Sequence, residues 1–151
     1  LDNSFEDKTY IEFSKVVNVN LTGTYYLTKL LSKKINNGGN ILFISSTNGI
    51  DTYYIESIDY DASKAGVISL MHNFAKQLAP IRVNAIAPGW VDTEMNASMS
   101  DKFKKKEEEH ILLKRFASPE EISKVINFVV SDDASYINDT VIRVDGGVNN
   151  G

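Results

Sequence analysis

Helix-like and strand-like stretches of apolar residues alternate along this chain. Between Glu6 and Ile35, the residues Ile11, Val16, Val19, Tyr26, Leu27, Leu30 and Leu31 recur near helical spacing. They predict one or two consecutive helices, with Gly23 inside and Asn36-Asn37-Gly38-Gly39 ending them. The run NILFIS (40–45) is short, unbroken and rich in β-formers, which predicts a strand buried on both faces. Thr47–Asp59 reads as an irregular loop. A further helix is predicted from Tyr60 to Leu78, with Ala62, Ala65, Val67, Leu70, Met71, Phe74 and Leu78 on its apolar side and Pro80 closing it. IRVNAIA (81–87) predicts a second buried strand, stopped by Pro88-Gly89. Residues 91–113 are polar and helix-prone. In SPEE (118–121), Ser118 suits an N-cap, Pro119 the first helical position and Glu121 a capping box, ahead of Ile122, Val125, Ile126 and Val129. TVIRV (140–144) predicts the third strand, and DGG (145–147) turns the chain out of it. Strands alternating with helices predict a parallel α/β architecture with helices covering the sheet.

Composition narrows the partners. The chain has 151 residues, long enough for one ordinary domain with its own core, and 42% of them are hydrophobic. A net charge of −4 argues against nucleic acid as a main partner. No apolar run approaches the ~18 residues that a membrane helix needs, so no membrane partner is expected. The stretch LDNSFEDKTY has neither a basic n-region nor an apolar h-region and is not expected to be a secretory signal. Zero cysteines exclude disulfides and thiolate metal sites and suit a cytoplasmic protein. His72 and His110 lie far apart without H-E-x-x-H spacing, and no metal site is expected from them. In KFKKKEEEH (102–110), lysines and glutamates meet at i,i+3 and i,i+4 and largely cancel, which predicts a solvated helical face. DGGVNNG (145–151) is glycine-rich, but no helix follows it to receive a phosphate.

The chemistry centres on Tyr60 and Lys64. A tyrosine with an ordinary pKa near 10 is a poor base at neutral pH. Four residues on, at the start of a helix, Lys64 projects to the same face and can set its ammonium beside the phenol. Lowering the phenol by about 3 pKa units needs roughly 4 kcal/mol of differential stabilisation. A lysine at a wet surface does not supply that, whereas a second positive charge in a dry pocket can, and an oxidised nicotinamide ring is one candidate. The pair therefore makes most sense as a general acid/base that exchanges a proton with a carbonyl or alcohol oxygen during hydride transfer. Such a site also needs a hydroxyl for the substrate oxygen. Ser46 follows the strand NILFIS, and strand ends of parallel sheets are where ligands bind. Tyr53 and Tyr54 have no lysine at +4 and are expected to shape the pocket wall.

With these residues in view, the chain resembles the short-chain dehydrogenase/reductase family. N-L-T-G-T (20–24), I-S-S-T-N-G (44–49), Y-D-A-S-K-A-G (60–66), R-V-N-A-I-A-P-G-W-V-D-T (82–93) and V-D-G-G (144–147) occur in the family's order and near its spacings. Y-x-x-x-K alone is weak; five blocks in register are specific. The resemblance implies that Tyr60 is the catalytic acid/base and that Lys64 lowers its pKa and binds the nicotinamide ribose hydroxyls. It implies that Ser46 polarises the substrate oxygen and that Asn20 helps hold a proton-relay water near the lysine. Pro88, Gly89, Val91 and Thr93 match a segment whose backbone groups hold the nicotinamide carboxamide and whose threonine reaches the cofactor phosphates. Asn84 is expected to be a structural hydrogen-bonder. Residues 94–113 correspond to a mobile substrate lid.

The implied fold is the C-terminal part of a Rossmann-like doubly wound parallel sheet, a single partial domain over 1–151. The T-G-x-x-x-G-I-G turn, the residue choosing NAD or NADP, and N-N-A-G are not in this sequence. The resemblance thus implies that roughly ninety residues of the nucleotide-binding half precede this stretch in family members. Strand 40–45 is then expected to expose an edge that another strand would cover. Two smaller departures are the tight A-P-I-R turn (79–82) and Asn138-Asp139 in place of Thr-Gly. The implied activity is NAD(P)-dependent oxidoreduction between a carbonyl and a secondary alcohol, most like 3-oxoacyl carrier-protein reductases acting on small-molecule or carrier-protein thioesters. Sugar-alcohol or secondary-alcohol oxidation is the alternative within the family. The implied assembly is a homodimer or homotetramer through the helices near 8–35 and 60–79, where Gly23, Ala62, Ala65 and Gly66 would allow close approach. The 151 residues alone are not expected to turn over. A rival class is a non-catalytic remnant that binds a partner through those helices.

Overall fold

A computed structural model describes residues 4–96 and 99–148. Residues 97–98 of the expected lid and 149–151 of the glycine-rich stretch lie outside the described residues. Helix α1 (Tyr10–Val17) runs through a π-helical turn, Asn18–Thr22, into α2 (Gly23–Leu31). Thr9 caps α1 in a reciprocal box with Glu12. Strand β1 (Asn40–Ile44) follows, then α3 (Ile58–Gln77), β2 (Arg82–Pro88), α4 (Asp101–His110), α5 (Pro119–Val130) and β3 (Val141–Val144). The capping box expected at Ser118 and Glu121 is present, with Pro119 opening the helix.

The three strands form one parallel sheet in the order β1-β2-β3. Ile41 pairs with Val83, and Ile86 with Ile142. As the central strand, β2 is the most buried, with Val83, Ala85, Ile86 and Ala87 fully enclosed. Val83 and Ala85 pack with Phe43 and with Val67, Met71 and Phe74 of α3. The rings of Phe43 and Phe74 stack at 6.1 Å. With a side-chain period of two, Asn84 and Ile86 point to the other face. There Asn84 Nδ2 donates to the Ile137 carbonyl at 2.9 Å and its Oδ1 accepts from the Thr140 amide, the structural role expected of it. Asp139 sits in the left-handed region at φ 57°, which aspartate tolerates better than most residues, and its carboxylate lies 2.6 Å from His72 Nδ1.

Two expectations about burial are corrected. Strand β1 is not buried on both faces: Ile41 and Leu42 are half-buried and Ile44 is 45% exposed. Its far edge pairs with no strand among the described residues. The start of α3 is inverted, because Ala62 and Ala65 face solvent while Asp59, Asp61 and Ser63 are buried. In α1 and α2, Phe13, Val16 and Val17 are half-buried, whereas Ile11, Tyr26, Leu27, Leu30 and Leu31 lie open. Gly66 is already in use within the chain, since a Cβ there would sit 2.7 Å from Leu21.

Candidate active site

The C-terminal end of β1 and the first turns of α3 build the site. After β1, the backbone enters a short 3-10 turn, Thr47–Gly49, capped by the Ser46 hydroxyl, which accepts from the Asn48 amide at 3.2 Å. That turn lies directly on α3. Ser45 Oγ donates to the Lys64 carbonyl at 2.9 Å, and a Cβ at Gly49 would stand 2.7 Å from the Lys64 carbonyl carbon. Only a residue without a side chain permits this approach.

Across the contact, Ser46, Tyr60 and Lys64 come together. The Tyr60 phenol lies close enough to the Ser46 hydroxyl to be influenced by it, while Ser46 Oγ itself donates to Asn48 Oδ1 at 3.2 Å. Lys64 Nζ lies 5.5 Å from the Tyr60 ring centroid and donates to the Ile44 carbonyl at 3.0 Å. Burial pushes the Tyr60 phenol above its ordinary value; the nearby Ser46 hydroxyl pulls against this, and the Asp61 charge adds to it. Burial also pushes the Lys64 ammonium down. In the protein alone the phenol is therefore a proton donor, and Lys64 does not by itself make it a base.

Asn20 is reached indirectly. It sits in the π-helical turn, a helical irregularity frequent at functional sites. Its Nδ2 donates to Ser63 Oγ at 3.0 Å, and Ser63 Oγ donates to the Tyr60 carbonyl at 2.7 Å. Asn20, Ile44 and Lys64 line one cleft of about 480 Å³ along the open edge of β1. Lys64 has one hydrogen-bond acceptor among the described residues, Ile44, which leaves ammonium donors for a ligand in that cleft.

The Pro88–Thr93 segment lies at the end of the adjacent strand. Pro88 closes β2, and the Gly89 amide donates to the Val144 carbonyl at 3.1 Å. A Cβ at Gly89 would meet Asp145 Cβ at 2.9 Å, so this glycine serves contact with the turn after β3. Val91 bridges to Ala117, and its carbonyl accepts from Asn96 Nδ2 at 2.7 Å. Thr93 is exposed. No hydrogen bond among the described residues joins this segment to Tyr60 or Lys64.

Several organising residues escaped sequence reasoning. Asp61 accepts from Asn48 Nδ2 at 2.7 Å, Ser57 Oγ at 2.8 Å and the Tyr54 amide at 3.3 Å, tying the 47–57 loop to the start of α3. Asp59 accepts both a bidentate ion pair from Lys8 at 3.1 Å and the Tyr60 amide. The available signal was the DYD triplet at a helix start, where acids complement the exposed amides. Glu107 is buried too, contrary to the solvated face expected for α4, and bonds Tyr54 and Trp90.

Residues 1–149 match the family model described as enoyl-(acyl carrier protein) reductase. The chain is 40% identical to a 3-oxoacyl-[acyl-carrier-protein] reductase FabG of Aquifex aeolicus, over 97% of this chain and 60% of that protein. It is 37% identical to a 3-oxoacyl-[acyl-carrier-protein] reductase MabA of Mycobacterium bovis, over 93% of this chain and 58% of that one. The fold superposes with a TM-score of 0.93 on a short-chain dehydrogenase/reductase (glucose/ribitol dehydrogenase) of Brucella melitensis at 26% identity, covering 100% of this chain and 62% of the other. The chain thus spans about 60% of the length of the relatives it matches.

Proposed function

This chain belongs to the short-chain dehydrogenase/reductase family, and from that premise we propose that its protein reduces a carbonyl group to a secondary alcohol with NADH or NADPH, the favoured substrate being a 3-oxoacyl thioester. The observation that supports the reading is the meeting of Ser46, Tyr60 and Lys64, with the serine hydroxyl near the phenol and the ammonium 5.5 Å from the ring centroid.

Each residue then has a task. Ser46 Oγ has one proton; turned from Asn48 Oδ1 to a substrate oxygen, it fixes and polarises the carbonyl. Tyr60, held protonated by burial, transfers its proton to that oxygen as negative charge develops. Lys64 stabilises the resulting phenolate electrostatically and holds the cofactor ribose with its remaining donors. Asn20 acts through Ser63 on the backbone of Tyr60 and helps hold a water that returns the proton. Pro88, Gly89, Val91 and Thr93 would hold the nicotinamide and phosphate groups. The cofactor supplies the hydride. Residues 94–113 form the substrate lid, and the protein assembles as a homodimer or homotetramer, for which the exposed Tyr26 and Leu30 of α2 offer an apolar surface.

Sugar-alcohol oxidation is the second reading, favoured by the likeness to the Brucella protein. Nicotinamide absorbance, read on the whole protein as its gene encodes it, separates the two. We expect NADH or NADPH to be consumed with an acetoacetyl thioester and no NAD(P) reduction with ribitol or glucose. The reverse pattern would replace the first reading with the second. Neither reaction would move the account toward the non-catalytic remnant.

A further inference from the structure

Helix α4 carries DKFKKKEEEH, and among its charged residues Glu107 alone is buried, at 7% exposure. Burying a carboxylate costs several kcal/mol unless it is well bonded. The bonds come from neutral donors. Glu107 Oε2 accepts from the Tyr54 hydroxyl at 2.5 Å and from Trp90 Nε1 at 3.1 Å, and Trp90 Nε1 also lies 3.0 Å from the Tyr54 oxygen. The neighbouring lysine Lys104 turns instead to Asp92, at 3.5 Å. Burial, and after it the Glu107 bond and charge, push the Tyr54 phenol above its ordinary value, so it remains a donor.

This ring of three joins three segments. Tyr54 lies in the loop between Ser46 and α3, Trp90 directly follows Pro88-Gly89, and Glu107 belongs to α4. Aromatic packing seals it: Trp90 stacks on Phe116 at 5.4 Å and meets Phe103 of α4 edge-on at 5.9 Å. The bonds also lead inward. The Tyr54 amide donates to Asp61, Asn48 Nδ2 donates to Asp61, and Asn48 Oδ1 accepts from Ser46 Oγ. A continuous hydrogen-bonded path therefore runs from α4 to the serine beside Tyr60.

We infer that Glu107 and Tyr54 are positioning residues: together they latch α4 onto the loop that places Ser46, so that lid position and serine geometry are set by one buried carboxylate. The inference rests on the reductase reading for its effect on turnover, but not for its effect on α4. Misplacing a reacting group by about 1 Å costs up to about 10²-fold in rate, even when the substituted residue lies away from the chemistry.

The test uses the protein as its gene encodes it, in three variants: Glu107→Ala, Tyr54→Phe and Glu107→Gln. Glutamine keeps an acceptor oxygen and should restore most of what alanine loses. Limited trypsin digestion reads the latch directly, because Lys102, Lys104, Lys105 and Lys106 lie on α4 while Lys124 lies on α5. Losing a hydrogen bond to a charged group should raise the open population of α4 about tenfold, so we expect cleavage within 102–106 to accelerate by about that factor in the alanine and phenylalanine variants, with cleavage at Lys124 unchanged, and kcat/KM to fall roughly 10- to 100-fold. A merely stabilising role would speed all cuts together and follow the loss in melting temperature; that result overturns the inference. Wild-type cutting on α4 in Tyr54→Phe overturns it as well, even if Glu107→Ala fails to fold. Selective cutting on α4 in a protein without reductase activity would uphold the latch and reject the reductase reading.

Discussion

Gly49→Ala tests how the site is held together. The added methyl would stand 2.7 Å from the Lys64 carbonyl carbon, 2.8 Å from its oxygen and 2.9 Å from the Ala65 nitrogen. Ordinary contact begins at 3.4 Å, so the turn and the helix must separate by 3.4 − 2.7 = 0.7 Å. The obstacle is backbone, which cannot rotate aside. Overpacking of this kind costs about 1–3 kcal/mol. Ser46 rides on the turn and Tyr60 on the helix, so the same opening lengthens the contact between them. Misplacing reacting groups by about 1 Å costs about 10²-fold, and a shift of this size should lower kcat/KM by roughly 10- to 100-fold. Steady-state kinetics and urea denaturation measure the two effects. Wild-type kcat/KM in Gly49→Ala would refute the idea that this contact sets the serine–tyrosine geometry.

Three further outcomes are expected. Lys8→Met strands the Asp59 carboxylate, whose side chain and that of Lys8 are 2% and 3% exposed, and should cost about 3–5 kcal/mol in urea denaturation; Lys8→Met with Asp59→Leu should recover much of it. Lys64→Met should abolish turnover yet leave thermal stability equal or higher. Burial lowers the folded pKa of Lys64, so the unfolded chain binds the proton more readily, and the stability gap between variant and wild type should close as pH rises toward about 10.4, the ordinary lysine value. Because the Tyr60 phenol is raised, carbonyl reduction should hold its rate through neutral pH, where the phenol is protonated, and fall only in alkaline solution. Alcohol oxidation, which needs the phenolate, should rise with pH over the same range; a reduction rate that climbs with pH would contradict the assignment.

Much of the fold was legible because local rules and tertiary packing agree. NILFIS and IRVNAIA are apolar, β-rich runs, and both became strands within a residue or two of the expected ends. SPEE announced α5 through a cap that depends on four consecutive residues. Tyr60 and Lys64 were legible because a helix puts i and i+4 on one face. What the sequence could not show depends on distant partners. In EEE at 107–109, nothing local distinguishes Glu107; Tyr54, fifty-three positions away, and Trp90, seventeen away, select it. The same holds for Asp59 and Asp61, which looked like ordinary helix-start acids until Lys8 and the 47–57 loop enclosed them. Ala62 and Ala65 were assigned inward by hydrophobicity, but the groups packed against that turn are polar and take the carboxylates instead. The direction of the Tyr60 pKa was also out of reach, since it is set by burial.

Tyr60→Phe, assayed by single turnover with saturating NADH or NADPH and an acetoacetyl thioester, tests the central claim most directly. The variant loses one oxygen, and with it the proton donor beside Ser46. We expect cofactor binding and melting temperature close to wild type, with the hydride-transfer step slowed by about 10²- to 10⁴-fold, the range for removing a general acid. Wild-type single-turnover rates in Tyr60→Phe would show that the proton comes from elsewhere and that the acid/base assignment is wrong.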